Sequence, residues 1–118
     1  MQAFEAGDDL VFQLESGFGL LRVLAIEDRE AEGMVWHLLA YEELFPEVEA
    51  AENALTNADA LHVRLEHMAL TERAFERTPA AKIGNRPVMD HELSAYRRWI
   101  EKGGQVSDRS ALLMLGLR

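Results

Sequence analysis

Cysteine is absent from this chain of 118 residues. Its absence excludes disulfide bonds, a thiolate nucleophile and a cysteine-ligated zinc site. The chain also lacks any run near the roughly 20 apolar residues that a membrane-spanning helix needs, so we expect no membrane partner. Residues 1–9 carry neither the basic region nor the apolar region of a secretory signal peptide. We therefore predict a cytoplasmic protein without disulfides.

Basic residues are scarce in the first half of the chain. Residues 1–60 contain fourteen acidic residues but only two basic ones, Arg22 and Arg29, whereas residues 61–118 contain seven acidic and ten basic residues. The acidic front half would repel phosphate backbones, so we expect no nucleic-acid partner. Three interpretations stay open: a solvated surface that promotes solubility, a face that docks a basic partner, or pairing between the two halves within the molecule.

Strand-like segments dominate the first part of the chain. Apolar runs at residues 10–14 and 20–26 flank a turn at residues 16–19, which predicts a β-hairpin whose glycines adopt positive φ. The density of aliphatic residues in 20–26 predicts a strand that is buried on both faces or bent. Residues 34–41 and 61–70 alternate as two further strands, so we predict an antiparallel meander.

Helical signals follow in the second part. Pro46 and the acidic residues after it predict a short helix over 46–55. Asp90 as N-cap and a terminal Gly103-Gly104 pair predict a long helix over 90–102. Residues 71–77 are compatible with one helical turn, and 78–87 are predicted as a loop. The apolar run 111–115 fits a short helix or a last strand, and we expect it to pack on the sheet or on a second subunit.

Histidine and aromatic residues mark one candidate pocket. Trp36, His37 and Tyr41 lie close together on the third strand, where a histidine could act as acid or base. His62 and His67 resemble an inverted zincin pair, but the spacing has one residue too many and the segment alternates like a strand. No nucleophile elbow occurs either. We therefore assign no catalytic residue, metal ligand or cofactor.

Acidic residues mark a candidate interaction surface. Glu42, Glu43, Glu47 and Glu49 form the predicted docking face for a basic protein partner. Phe18, between two glycines, is either an exposed aromatic contact or a side chain folded back over the mouth of the sheet. Residues 111–117 form a candidate apolar interface for a homodimer.

The first hairpin carries a resemblance to a known group of proteins. Residues 7–12 (GDDLVF), 17–19 (GFG) and 22–24 (RVL) resemble the opening hairpin of small bacterial SH3-like β-barrels, which include immunity proteins of polymorphic-toxin systems. The resemblance covers about the first 25 residues of the chain. It implies a bent antiparallel barrel and a role in protein binding without catalysis.

These observations predict one α+β domain over residues 1–118. We expect a bent antiparallel sheet, or an SH3-like partial barrel, of about four or five strands, packed by one long C-terminal helix and one short helix. The leading functional hypothesis is a small bacterial interaction module with an acidic docking face. The alternatives are a small-molecule binder or enzyme with a pocket near Trp36, His37 and Tyr41, and a structural homodimer.

Overall fold

A computed structural model of the chain describes residues 4–31 and 33–116. Its strands are β1 (Asp8–Leu14), β2 (Gly17–Asp28), β3 (Met34–Tyr41), β4 (Val63–Thr71) and β5 (Ala80–Asn85). Its α-helices are α1 (Val48–Ala54), α2 (Glu72–Glu76), α3 (Ser94–Glu101) and α4 (Ala111–Leu115). Short 3₁₀ helices span Leu55–Ala60 and Asp90–Leu93. The α+β class is confirmed.

The five strands form one sheet in the order β4-β3-β2-β1-β5, and all neighbours are antiparallel. Strands β1 to β4 follow one another as the predicted meander. The loop predicted over residues 78–87 is wrong, because β5 occupies Ala80–Asn85 and pairs with β1. Its Lys82 and Gly84 are poor local strand signals. Pairing with β1, which is distant in sequence, therefore decides the conformation of β5.

The first hairpin is tighter than the sequence pattern indicates. β1 ends at Leu14 and β2 begins at Gly17, so the turn consists of residues 15 and 16. Gly17 has a φ of 145°, as expected for a turn glycine, whereas Gly19 is not among the glycines with positive φ. Gly19 is needed for space: a Cβ there would lie 2.5 Å from Cζ of Phe12, its partner on β1.

Both faces of the sheet are covered. One face packs against α2 and α4 through Phe75, Ala111 and Leu115, and the other packs against α1 through Ala51. Neighbouring residues of β2 belong to opposite faces, which explains the continuous apolar run in this strand. Register shifts in the β2–β3, β1–β5 and β3–β4 pairs bend the sheet locally.

The helices are shorter than predicted. A single long helix over 90–102 is not present: the Asp90–Leu93 turn is 3₁₀, and α3 covers only eight residues. Within this turn the Glu92 carboxylate accepts a hydrogen bond from the Met89 amide at 2.9 Å and also binds Arg22. The helix predicted over 46–55 begins at Val48 and ends at Ala54. The run 111–115 is the helix α4, capped by Ser110 and packed on the sheet.

Replacing Gly19 by alanine tests the close approach of Phe12. We expect Gly19→Ala to lower the free energy of unfolding by about 1–3 kcal/mol, because the added methyl forces the Phe12 ring out of its packed position. Gly84→Ala is the matched control, since a Cβ there would meet no atom nearer than 3.9 Å. Urea unfolding of both variants measures the difference. Equal losses of stability in the two variants would contradict this account of Gly19.

Candidate functional site

A cleft of about 600 Å³ opens on the face of the sheet that carries Leu39 and Tyr41. Six parts of the chain form its walls: the strands β2, β3 and β4, the 3₁₀ helix Leu55–Ala60, the segment that follows β5, and the 3₁₀ helix Asp90–Leu93. The side chains that line it are Arg22, Leu39, Tyr41, Ala58, Asp59, Leu61, Val63, Glu66, Arg86, Pro87, Met89, His91 and Glu92. Mixed apolar walls with a few polar groups are typical of a binding site.

Arg22 forms the centre of the floor and is fully buried. Its Nε donates to Glu92 at 2.5 Å, and its Nη1 donates to the carbonyl of Gly7 at 2.9 Å and to Asp9 at 3.3 Å. Its Nη2 donates to the carbonyls of residues 86 and 87 and to the second oxygen of Glu92. Every guanidinium nitrogen is therefore bonded, which is the condition for holding a charge in the interior.

Arg86 binds the same network from the edge of the cleft. Its Nε and Nη2 each donate to Asp9 at 2.7 Å, and its Nη2 also donates to the hydroxyl of Tyr41 at 3.1 Å. The hydrogen bonds to Asp9 raise the pKa of Arg86 against the opposing effect of burial. The side chain is 31% exposed, and its Nη1 donates to no side chain or carbonyl within residues 4–31 and 33–116.

Asp8 anchors a second branch on the opposite side of β1. The carboxylate is buried and accepts hydrogen bonds from Asn85, from the Glu5 amide and from Lys82, whose Nζ lies 3.1 Å away. Burial raises the pKa of Asp8, but these bonds outweigh it and hold the pKa below its usual range. Together with the Asp9–Arg86 contact, this branch shows that acidic residues of the first half do pair with basic residues of the second.

Most of the predicted docking face is exposed. Glu42, Glu47 and Glu49 are exposed, as is Glu52 on α1. Glu43 is half-buried and accepts hydrogen bonds from the amide and the Nδ1 of His62. The bond to Nδ1 and the charge of Glu43 raise the pKa of this exposed histidine. We call residues 42–52 the acidic segment. It directly follows Tyr41 and leads through α1 and the 3₁₀ helix to Ala58, so the chain on either side of it reaches residues that line the cleft, although none of its own side chains is among the lining residues.

Most carboxylates of the acidic segment are not paired with a basic side chain. Within the described part of the chain, Glu42, Glu47, Glu49 and Glu52 have no basic side chain within ion-pair distance. Seven described carboxylates elsewhere are paired with arginine or lysine: Asp8, Asp9, Glu27, Glu66, Asp90, Glu92 and Asp108. The described carboxylates outside the segment that lack such a pair are spread along the chain: Glu5, Glu15, Asp28, Glu30, Asp59, Glu72, Glu76 and Glu101. The acidic segment is thus the largest group of uncompensated carboxylates that lie close together in the described sequence.

The three residues of the predicted pocket do not line one cavity. Trp36 faces the α2 side of the sheet, where its ring stacks on Phe75 at 4.1 Å. His37 and Tyr41 lie on the other face, but only Tyr41 lines the cleft. Phe18 is half-buried, pairs with Phe45 through backbone hydrogen bonds and packs on the core. Of these four residues, Tyr41 is therefore the one that the structure brings to the candidate site.

His37 takes part in a different arrangement. Its Nε2 lies 2.8 Å from the Glu27 carboxylate, and its Nδ1 lies 2.9 Å from Nε2 of His67 on β4. The rings of Tyr96 and Trp99 from α3 pack against both imidazoles. Burial lowers the pKa of His67 to about 4, with a further contribution from His37. Burial also lowers the pKa of His37, although Glu27 opposes this effect.

At physiological pH both histidines are neutral, and their rings form part of the surface on which α3 packs. Two imidazoles that share one hydrogen bond are each held in a single tautomer. Among the described residues, no group of three or more histidine, aspartate or glutamate side chains is placed to hold a metal ion. The pair was not predicted, because His37 and His67 meet only through the pairing of β3 with β4, which brings together residues 30 positions apart.

The predicted dimer segment is partly used within the chain. Ala111 and Leu115 are buried in the core, whereas Leu113 and Met114 are exposed. Leu117 lies outside the described residues. A homodimer through this segment stays a prediction. In the part of the chain that the structure covers, no helix has the length and apolar character to span a bilayer.

Removing the Arg22 guanidinium tests whether the buried network holds the fold. We expect Arg22→Met to lower the free energy of unfolding by about 3–5 kcal/mol, because Asp9 and Glu92 would lose a buried cation. Arg22→Lys keeps the charge but not the fork of donors, and should lie between this variant and the wild type. Arg97→Met, in an exposed pair with Asp90, should change stability little. Equal effects of Arg22→Met and Arg97→Met in urea unfolding would contradict this role.

The histidine pair predicts a pH dependence of stability. In the unfolded chain His67 takes up a proton below about pH 6.5, but in the folded protein only near pH 4. The free energy of unfolding should therefore fall as the pH decreases through this interval. We expect His67→Gln to make this dependence shallower in urea unfolding between about pH 4.5 and 7. His62→Gln is the control: because the pKa of His62 is raised in the folded protein, its removal should not make the dependence shallower. An unchanged slope in His67→Gln would refute the assignment.

Comparisons with protein-family models, with curated proteins and with solved structures gave no significant match for this chain. The features of this chain that bear on its function are therefore the cleft and the acidic segment.

Proposed function

We propose that this protein is a small interaction module that docks a basic partner protein at the cleft and the acidic segment. The observation that carries the proposal is the coincidence of two features. The cleft has a rigid polar floor and partly exposed apolar walls, and the largest group of uncompensated carboxylates in the described sequence lies on the segment that directly follows Tyr41, one of the lining residues.

The charge of the acidic segment supports attraction of a positively charged partner. Carboxylates that already pair with arginine contribute little field at a distance, whereas Glu42, Glu47, Glu49 and Glu52 are uncompensated by described residues. Clustered charges of one sign speed the encounter with an oppositely charged partner, and the effect weakens as salt increases.

The exposed apolar side chains of the cleft and of the acidic segment support the proposal that the partner is a protein. Met89 is 56% exposed and Val63 is 44% exposed, and both line the cleft. Leu44, within the acidic segment, is 42% exposed. Exposed apolar side chains grouped beside charged ones are typical of a protein docking site rather than of a merely solvated face.

We further propose that the sheet is an SH3-like partial barrel and that the module is cytoplasmic and of the immunity type. A sheet bent by register shifts, with β5 beside β1, supports the first point. The cysteine-free composition supports a reducing compartment. The immunity role follows from the resemblance of the first hairpin and from a binding surface without a catalytic constellation among the described residues.

A charge-neutralised variant tests the docking surface. The variant carries glutamine at positions 42, 47, 49 and 52, and the probe is a short peptide of alternating lysine and serine. Calorimetric titration should show at least about fivefold weaker binding to the variant than to the wild type, and the difference should shrink at high salt. Amide chemical shifts should change mainly in residues 41–66.

The matched control removes the same charge elsewhere. It carries glutamine at the exposed positions 15, 72, 76 and 101 and should bind the peptide almost as well as the wild type. Equal weakening in both variants, or shift changes spread over the whole surface, would show that the peptide responds to net charge alone and would overturn the proposal.

A further inference from the structure

We infer that the cleft binds an apolar side chain of the partner, presented on an extended segment and flanked by lysine or arginine, with a neighbouring backbone carbonyl accepting hydrogen bonds from Arg86. The inference rests on the proposed function and specifies the chemistry of the partner. Three features of the cleft lead to it: its walls, its free donors and the sign of its uncompensated charge.

The walls of the cleft provide an apolar seat. Leu39 and Leu61 form its inner part, and Val63 and Met89 stand at its mouth with large exposed fractions. The volume of about 600 Å³ accommodates a side chain of the size of leucine together with its backbone. Covering the exposed surface of Val63 and Met89 would supply the hydrophobic part of the binding free energy.

The polar end of the cleft offers donors rather than acceptors. Arg86 is held in place by its two bonds to Asp9, which leaves the two N–H groups of Nη1 without a partner among the described residues. The hydroxyl of Tyr41 accepts from Arg86 and keeps its own hydrogen to donate. A carbonyl or carboxylate oxygen would satisfy this end.

The charge balance selects a neutral carbonyl over a free anion. Asp9 compensates Arg86, and Glu92 compensates Arg22, so the floor carries no net positive charge to bind an anion. Glu66 is paired with Arg98, whereas Asp59 is exposed and has no basic partner in the described part of the chain. His91, also exposed, is the remaining titratable group on the wall. With the acidic segment alongside, the rim favours lysine or arginine next to the bound apolar residue.

Three synthetic peptides separate the apolar and the charged contributions. The first alternates lysine and serine around a central leucine, the second has alanine in place of the leucine, and the third keeps the leucine but replaces lysine by glutamate. We expect the wild type to bind the leucine peptide at least about tenfold more tightly than the alanine peptide, because one buried leucine side chain supplies this difference. The glutamate peptide should bind more weakly than both.

Surface variants locate the apolar contact without disturbing the core. Val63→Ser and Met89→Ser should remove most of the leucine preference while retaining the salt-sensitive binding of the alanine peptide. Ile100→Ser is the matched control, because Ile100 is 54% exposed but does not line the cleft. Tyr41→Phe should weaken both lysine peptides by about threefold with the leucine preference unchanged, since it removes one donor.

The outcomes distinguish this inference from the proposed function. Equal binding of the leucine and alanine peptides to the wild type would show that the cleft holds no apolar side chain. If the glutamine variant binds neither peptide, that result would still support acidic docking. Tight binding of the glutamate peptide would overturn the requirement for basic flanking residues. Failure of every lysine peptide to bind would overturn the proposed function itself.

Discussion

The rest of the structure depends on the hydrogen bonds that the buried guanidinium of Arg22 makes. It is the only basic residue in the first 28, and it lies fully buried in the second strand of the sheet. Its guanidinium joins Gly7 and Asp9 to the segment from Arg86 to Glu92, which are far apart in the chain. Few other arrangements of the chain around a buried guanidinium are stable, because each donor left without an acceptor in the interior costs free energy. The network therefore determines where the segment after β5 can run, and that segment forms one wall of the cleft.

The same network explains the distribution of charge on the surface. Ion pairs such as Asp8–Lys82 and Asp9–Arg86 join acidic residues of the first half to basic residues of the second. Pairing within the molecule thus accounts for part of the charge asymmetry along the sequence. The acidic segment falls outside this pairing, so its negative charge is available for a partner. The buried ion pairs and the uncompensated acidic segment are two consequences of one uneven charge pattern.

Several elements were predictable because their signals are local. The strands β1 to β4 follow from runs and alternation of apolar residues. The run 111–115 was compatible with a helix or a strand, and the structure shows it as α4, capped by Ser110 and packed on the sheet. β5 was missed, since a six-residue strand containing Lys82 and Gly84 becomes a strand only through pairing with β1. The long helix predicted after Asp90 was wrong: the entry turn is 3₁₀, and its Glu92 is held by Arg22, a contact between residues 70 positions apart.

The sequence by itself determined the α+β class, the meander and the position of an exposed acidic segment, because periodicity and clustered charge are properties of neighbouring residues. Strand alternation also places Trp36 and Tyr41 on opposite faces of the sheet, but only the tertiary structure decided that His37 meets His67 and that Tyr41 and Arg86 border one cleft. These contacts join residues 30 and 45 positions apart. Strand register and bulges set such contacts, and register is fixed by packing over the whole sheet rather than by any local pattern.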